Sequence, residues 1–374
     1  MANRMRLGDI ATYINGYPFK PEERGTEGLP IIRIQDLTGN SYDLGFYNGE
    51  YPSRIEINDG DVLISWSGSL GVYVWARGKA LLNQHIFKVV FDKVQVDKRY
   101  FVFAVQHMLC EMEGKTHGAT MKHIVKGDFD NTSIPFPSIM EQQEIAEVLS
   151  GVQSIIEARQ RQLRALGALI KARFVEMFGN PVDNDRGWPT ISLDDACDGI
   201  GDGLHGTPEY DDNGAYPFIN GNNLTDGVIV ITPATKMVDA ETYRKHYICI
   251  TDNAILISIN GTLGKIAFYR GEKVMLGKSA CYCNLKPSIN REFVYGVMRS
   301  DAFVGFLEEN STRSTIKNVG LKVMRGFQLI NPPEKLQLQY IMFARQVDKS
   351  KAAVQAALDK AQVLFDSLMQ DYFG

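Results

Sequence analysis

The sequence of 374 residues has no run of apolar residues long enough to cross a bilayer. No apolar signal core follows the first residues, because Gly8, Asp9 and Asn15 interrupt that stretch. Cysteines are few, five in number, and they lack the paired spacing of a zinc site. Scattered cysteines of odd number are typical of reduced thiols in the cytoplasm. We therefore expect a cytoplasmic protein without a structural metal ion.

Positive charge is also scarce. The chain has 40 Lys and Arg against 44 Asp and Glu, a formal net charge of −4. A protein that holds duplex DNA alone normally has a basic excess, because neutralised phosphates supply most of the non-specific affinity. The charge leaves two alternatives: the chain does not bind DNA, or it reads bases while a partner holds the backbone.

What the sequence does have is an internal repeat. The motifs at 7–11, 30–37, 60–65, 68–71 and 121–124 return in the same order at 193–196, 217–224, 252–258, 261–264 and 315–318. Each copy closes with a proline-marked loop and a long heptad-like stretch that ends in Phe-Gly. A period near 190 residues is too long for a solenoid unit, so a whole domain plus a helix is duplicated.

This order of domain, helix, domain, helix resembles the specificity (S) subunits of Type I restriction-modification systems over essentially the whole chain. The resemblance implies a non-catalytic subunit in which each target recognition domain reads one half of a bipartite, gapped DNA site. It also implies two methyltransferase (M) subunits and motor-nuclease restriction (R) subunits as partners. S-adenosylmethionine, ATP and Mg are then expected only on those partners, and no cofactor on this chain.

The local patterns predict an α+β fold class. Short strands broken by turn residues are predicted at 31–34, 62–65, 72–75, 86–91, 254–259, 265–269 and 281–285, with helices over 99–113 and 291–309. We predict two β-rich domains separated by two long antiparallel coiled-coil-like helices, with pseudo-two-fold symmetry. The predicted segments are a first recognition domain (1–140), a first spacer helix (141–180), a second recognition domain (181–333) and a second spacer helix (334–374).

Each spacer helix has a single apolar stripe at alternating three- and four-residue spacing. Such a helix is not stable alone in water, so we expect the two to pack on each other. At about 1.5 Å per residue each is roughly 55 Å long and would separate the half-sites by about one turn of DNA. The predicted packing residues are Ile145, Leu149, Val152, Ile156, Leu163, Leu166, Ile170, Val354, Leu358, Phe365 and Leu368.

Motifs of catalysis are incomplete. Asn331-Pro332-Pro333-Glu334 resembles the Asn-Pro-Pro-aromatic motif of adenine methyltransferases, but Glu334 replaces the aromatic residue and no Gly-rich cofactor loop precedes it. Gly261-Thr262-Leu263-Gly264-Lys265 lacks the full spacing of a phosphate loop. The six histidines form no catalytic triad order that recurs between the halves. We interpret these segments as turns and predict no catalytic residue.

Two polar, basic loops that follow helices are the strongest candidates for DNA contact, because their side chains offer donors to phosphates and base edges. The alternative is that they are solvated loops. The predicted contact residues are Lys115, Thr116, His117, Thr120, Lys122 and His123 in the first half, and Arg313, Ser314, Thr315, Lys317 and Asn318 in the second.

Further candidates lie in turns. Asn and Gln suit adenine and Arg or Lys suit guanine, whereas the alternative role for each is a structural turn. These candidates differ between the halves, which would let the two domains read different sequences. They are Arg33, Gln35, Ser69, Asn83 and Gln84 in the first half, and Asn220, Asn222, Asn260, Thr262 and Lys278 in the second.

A different class of protein also fits the acidic composition. In that alternative the two domains bind protein or glycan, and the helix pair only joins them. A self-sufficient methyltransferase is a third interpretation, which the missing cofactor loop disfavours.

Overall fold

The computed structural model describes residues 3–40, 43–115 and 124–374. The chain divides into two compact units, unit 1 with residues 1–160 and 355–374 and unit 2 with residues 161–354. Each unit combines one β-rich domain with a part of each of two 40-residue helices, α5 (Ile139–Phe178) and α11 (Glu334–Phe373). The predicted α+β class with two domains and two long helices is confirmed.

The domain of unit 1 contains two four-stranded sheets. Its elements are β1 (Arg4–Arg6), α1 (Leu7–Ile10), β2 (Thr12–Asn15), β3 (Leu29–Ile32), α2 (Ile34–Thr38), β4 (Gly45–Tyr47), β5 (Glu56–Ile57), β6 (Val62–Ser65), β7 (Gly71–Val74), β8 (Ala80–Leu82), β9 (Ile86–Val90), α3 (Lys98–Lys115), α4 (Lys126–Asn131) and β10 (Ser133–Pro135). The sheet orders are β2-β9-β6-β7 and β4-β3-β8-β5. The pair β3–β8 is parallel and joins the second sheet across a long excursion of the chain.

The domain of unit 2 repeats this plan. Its elements are β11 (Thr190–Ser192), α6 (Leu193–Ala196), β12 (Cys197–Asp202), β13 (Tyr216–Ile219), β14 (Leu224–Thr225), β15 (Val228–Ile229), β16 (Met237–Val238), α7 (Ala240–Lys245), β17 (Ala254–Ser258), β18 (Ile266–Phe268), β19 (Met275–Leu276), β20 (Ala280–Leu285), α8 (Arg291–Met298), α9 (Asp301–Glu309), α10 (Leu321–Gly326) and β21 (Gln328–Ile330). The main sheet is β12-β20-β17-β18, and the parallel pair β13–β19 matches β3–β8.

The two long helices complete the cores of both domains. In unit 1, Leu149 and Val152 of α5 share a core with Phe365 and Met369 of α11. In unit 2, Phe174 of α5 meets Tyr340 of α11 with ring centroids 5.3 Å apart. The start of one helix thus packs with the end of the other in unit 1, and the converse holds in unit 2, which is the order of an antiparallel pair.

The apolar stripe packs on the domains as well as on the other helix. The ring of Phe365 lies 6.0 Å from that of Phe103 in α3, and Phe373 lies 5.4 Å from Tyr100. Six of the predicted packing residues are buried, namely Leu149, Val152, Ile156, Ile170, Val354 and Phe365. The other five, Ile145, Leu163, Leu166, Leu358 and Leu368, are half-buried.

Most predicted elements differ from the structure at one end or both, and hydrogen bonds explain two of the differences. The single helix expected over 291–309 is interrupted, because the Ser300 hydroxyl accepts a hydrogen bond from the Phe303 amide at 3.2 Å and caps a new helix, α9. The strand expected to reach Ile34 ends at Ile32. Asp36 accepts the Arg33 amide at 2.8 Å and so starts α2.

The described residues contain no helix that is long and apolar enough to span a membrane. Within the same residues no group of three His, Cys, Asp or Glu side chains could hold a metal ion. Cys197, Cys281 and Cys283 are buried as free thiols, whereas Cys110 and Cys249 are exposed.

Candidate nucleic-acid interface

The loop after α9 packs on the turn after β17. The Gly261 amide donates to the Lys317 carbonyl at 2.9 Å, and the Asn260 side-chain amide donates to Asn318 Oδ1 at 3.0 Å. The Val319 amide then donates to the Ile259 carbonyl at 2.8 Å. Two segments that lie 58 residues apart in the sequence, counted from Asn260 to Asn318, therefore form one surface.

The 310–318 loop is closed by its own hydrogen bonds. The Thr312 amide donates to the Asn318 carbonyl at 2.9 Å, and the Asn318 amide returns to Thr312 Oγ1 at 3.1 Å. Arg313 and Thr315 at the tip are exposed, as is Ser314, whose hydroxyl donates within the loop to the Ile316 carbonyl. The backbone holds the tip in place, so its side chains can meet a ligand without first ordering the loop.

Lys317 makes an ion pair with Glu308, Nζ to Oε1, at 2.9 Å. Both side chains are about half exposed, and such a surface pair contributes little to stability because solvent screens it. A phosphate could therefore replace the carboxylate as the partner of this ammonium group.

The turn between β19 and β20 lies beside this surface. The Ile259 amide donates to the Ser279 carbonyl at 3.1 Å, which links the turn to the strand end that supports the loop. The Ser279 hydroxyl donates to Asn220 Oδ1 at 2.9 Å and accepts the Gly221 amide at the same distance. Asn220 is thus engaged as a structural turn residue, whereas Asn222, Thr262 and Lys278 are exposed.

Unit 1 builds the same framework. The Trp66 amide donates to the His85 carbonyl at 3.2 Å, and the Ile124 amide donates to the Trp66 carbonyl at 3.0 Å. Trp66, His85 and Ile124 therefore correspond to Ile259, Ser279 and Val319. Ile124 is thus joined to the turn after β6, as Val319 is joined to the turn after β17 in unit 2.

Most of that first loop lies outside the described residues. Lys115 is the final residue of α3. The predicted contacts Thr116, His117, Thr120, Lys122 and His123 are not among the residues that the structure describes. Their assignment as DNA contacts stays a prediction.

The turn candidates of unit 1 separate into two groups. The Arg33 guanidinium is only 11% exposed and pairs with Asp36, Nε to Oδ2 at 3.1 Å, which favours a structural role. Asn83 accepts the Gln84 amide on Oδ1 at 2.9 Å and so shapes its own turn. Gln35, Ser69 and Gln84 are exposed and remain the candidates of this domain that can reach a base.

Sequence reasoning missed His85 and Trp66. His85 adopts a left-handed backbone conformation with φ of 70°, which is uncommon for a residue with a Cβ. Its ring meets Trp66 edge to face at 4.9 Å, and Trp66 stacks on Phe87 at 5.5 Å. No local pattern marks such a residue, although alignment of the two repeats would have placed it opposite Ser279 beside Gln84.

The Asn-Pro-Pro-Glu segment starts α11. Gln337 Nε2 donates to Asn331 Oδ1 at 3.2 Å and to the Pro332 carbonyl at 2.8 Å. In the first repeat Gln142 Nε2 donates to the Pro137 carbonyl at 3.0 Å in the same way. Because the arrangement recurs where no Asn-Pro-Pro motif exists, it supports the interpretation as a rigid turn before a helix.

This chain is similar in sequence to a known family of proteins. The model of the Type I restriction modification DNA specificity domain matches residues 2–166 and again residues 185–360. The specificity subunit of the Type I restriction enzyme EcoBI from Escherichia coli is 23% identical, over 99% of this chain and 85% of that protein. The MjaVIII specificity subunit of Methanocaldococcus jannaschii is 26% identical over 46% of this chain and 41% of that protein.

Solved structures agree on the fold. The S subunit of a Type I restriction-modification system from M. genitalium aligns with a TM-score of 0.53 and 16% identity, over 100% of this chain and 96% of that one. A chain from a structural study of complex assembly and conformational transition in a type I system aligns with a TM-score of 0.55 and 15% identity, over 99% and 97%.

Proposed function

The chain belongs to the Type I restriction-modification DNA specificity family, and from this premise we propose that each of its two domains reads one half of a bipartite, gapped DNA site. The observation that carries the proposal is that the family model matches twice, once over each repeat. Each repeat presents the same framework of turns and loop that the preceding contacts describe. An interaction protein that binds glycan or protein has no comparable support.

Corresponding positions of the two frameworks bear different side chains. The Gln84 amide donates to the Tyr17 carbonyl at 3.0 Å, and the Lys278 amide donates to the Leu204 carbonyl at 3.1 Å, so Gln84 and Lys278 are equivalent. The Arg33 amide donates to Asp36 as the Asn220 amide donates to Asn223, so Gln35 corresponds to Asn222 in the second repeat. Different donors on one framework support different sequences for the two half-sites.

As a specificity subunit the chain has a non-catalytic role. Methyl transfer to adenine N6 with S-adenosylmethionine, and DNA cleavage driven by ATP and Mg, belong in this proposal to methyltransferase and motor-nuclease subunits. The long helices set the gap and dock two methyltransferase subunits. A partner that holds the phosphates accounts for the acidic charge of this chain, and the complex acts in the cytoplasm.

A map of N6-methyladenine across the source genome, with the gene intact and deleted, tests the proposed function. We expect a two-part gapped motif whose methylation disappears on deletion and returns when the intact gene is restored. Because each half-site is read from the same map, one experiment gives both. Identical maps, with the methyltransferase subunit shown to be expressed, would contradict the proposal.

Gln84→Lys tests the assignment of one base-reading position. The glutamine suits adenine and lysine suits guanine, so we expect the preference at one base pair of the first half-site to weaken by about 1–3 kcal/mol. The second half-site should be unaltered, because its own turn carries Lys278. Competition binding of the complex to a randomised DNA library measures both halves at once.

Gln143→Lys is the matched control, since it adds the same charge at an exposed position of α5. It should change overall affinity and salt dependence at most, without changing the base preference. A Gln84→Lys profile that equals the control profile would remove this turn from the reading surface.

A further inference from the structure

Each unit has a groove between its domain and the long helix. In unit 1 a groove of 570 Å³ lies between β7, α3 and α5, with Val74, Lys98, Arg99 and Gln106 in its lining. In unit 2 a groove of 290 Å³ lies between β18, α8 and α11, with Phe268, Arg270, Arg291 and Arg299 in its lining. Neither groove belongs to the turns and loops described above.

The two grooves occupy corresponding positions of the repeat. Asp97 accepts the Tyr100 amide at 3.0 Å at the start of α3, and Asn290 accepts the Phe293 amide at 3.3 Å at the start of α8. Lys98 therefore corresponds to Arg291 and, eight residues on, Gln106 corresponds to Arg299. The equivalent hydrogen bonds of Gln142 and Gln337 align the two long helices in the same way.

Both grooves are cationic on a chain of net negative charge. Two cations and no acid line the first groove, whereas four cations and two acids line the second, counting the described residues. Each lining thus has an excess of two positive charges, although the individual residues differ. The two linings share few residue types but have the same excess of positive charge. This indicates that the positive charge itself is needed in each groove.

Part of this charge has no internal partner. Arg291 donates to the Tyr269 carbonyl at 3.2 Å, and Arg345 pairs with Glu292, Nε to Oε2, at 2.8 Å. Within the described residues neither Arg270 nor Arg299 makes an ion pair, and the Arg299 guanidinium lies over the ring of Tyr295, 5.2 Å from its centroid. In unit 1 Arg99 pairs with Asp97, Nε to Oδ1 at 3.7 Å, whereas Lys98 lies over the ring of Phe91 at 5.9 Å and makes no ion pair among the described residues. Val74, in the same lining, is 57% exposed. Each groove therefore offers positive charge without a carboxylate partner, next to an apolar surface.

The position of the grooves argues against DNA as the occupant. In the β6–β7 hairpin the reading turn follows the pair Ser65–Gly71, whereas the lining of the groove extends from Val72 to the other end, at the pair Val62–Val74. At about 3.4 Å per residue these ends are roughly 10 Å apart along the strand. The second groove is likewise lined by Phe268, at the end of β18 remote from the turn at Gly261.

We propose that each groove docks one copy of an acidic, partly apolar segment of the methyltransferase subunit. The inference rests on the proposed function for the identity of the partner. Because one chain has two equivalent grooves, it would bind two copies of that subunit. Because both linings are cationic, the segment that binds in each groove is acidic. The charged part of such a contact weakens as salt screens it.

Native mass spectrometry of the full chain with its methyltransferase subunit tests the inference. We expect two copies on the unsubstituted chain, one copy on Lys98→Glu/Arg99→Glu, one on Arg270→Glu/Arg299→Glu, and none when all four are changed. Lys98 and Arg99 lie in the first turn of α3, where carboxylates complement the helix dipole, so that variant should stay folded.

The second groove needs a milder variant, because Arg299 ends α8 and a carboxylate there opposes the helix dipole. Arg270→Gln/Arg299→Gln removes the charge and copies Gln106 of the first groove, and it should also leave one bound copy. Lys20→Glu/Arg54→Glu and Lys273→Glu/Lys322→Glu are charge-matched controls at exposed positions outside both grooves, and both should retain two copies.

Two copies on every variant would overturn the inference and leave the proposed function intact. The same holds if the groove variants keep two copies but lose affinity for DNA, since the grooves would then contact phosphates. An unsubstituted chain that binds no methyltransferase subunit would instead contradict the proposed function itself, and the inference with it.

Discussion

Exchange of residues 1–137 for the equivalent domain of another specificity subunit is expected to change one half of the DNA site completely and to leave the other half unaltered. The reason is that the reading turns of unit 1 and those of unit 2 are built from separate strands and loops. The measurement is a methylated-motif map of cells that carry the exchanged chain. The reciprocal exchange of residues 181–333 should change only the other half.

The structure adds a condition to this experiment. The core of unit 1 includes Phe365 and Phe373 of α11, which contact Phe103 and Tyr100 of the exchanged segment. A donor domain should therefore keep aromatic residues at those two positions, because loss of such buried rings costs about 3–5 kcal/mol. If a well-folded exchange changed both half-sites, the division of reading between the domains would be wrong.

Lengthening both long helices is expected to widen the gap of the DNA site without changing either half. Four residues inserted in each helix add about 6 Å, near two base-pair rises, and seven residues add about 10 Å, near three. The division into units indicates where to insert, since it falls after Gln160 in α5 and after Val354 in α11. Methylation mapping of the two variants gives the new gap lengths directly.

The four-residue and seven-residue insertions serve as controls for each other, because they differ in how they rotate the apolar stripe. Seven residues restore the heptad register of the apolar stripe, whereas four rotate it by about 40°. Insertion of seven residues into α5 alone is the matched negative control, because it moves Leu149 about 10 Å farther from Ile170 along α5 while the spacing of their partners along α11 stays the same. A gap that stays constant in both paired variants would show that the helices do not set the spacing.

Much of this architecture follows from local patterns in the sequence. The apolar spacing of α5 and α11 predicted two helices of about 40 residues, because a three-and-four spacing places side chains on one helical face. Turn residues likewise predicted the strand end at Ser65, where β6 stops, and they predicted an end at Ile259 for β17, which stops at Ser258. These features depend on neighbours along the chain, which a sequence displays.

Other features depend on residues that are distant in sequence. Asn260 and Asn318 bond to each other across 58 residues, so local spacing gives no sign that they share a surface. The residue type of Arg33 suits guanine, but in the structure its guanidinium pairs with Asp36. His85 has a left-handed backbone conformation that no neighbouring residue in the sequence indicates, and only a comparison of the two repeats would have indicated its position.

The aromatic contacts that join α3 to α11 also fix an order of events during synthesis. Tyr100 and Phe103 emerge from the ribosome about 270 residues before Phe373 and Phe365, their partners. At about 5–20 residues per second this leaves their apolar faces uncovered for tens of seconds. Unit 2 obtains its helix contacts earlier, since Tyr340 precedes those residues. The domain that is translated first is therefore the one that is completed last.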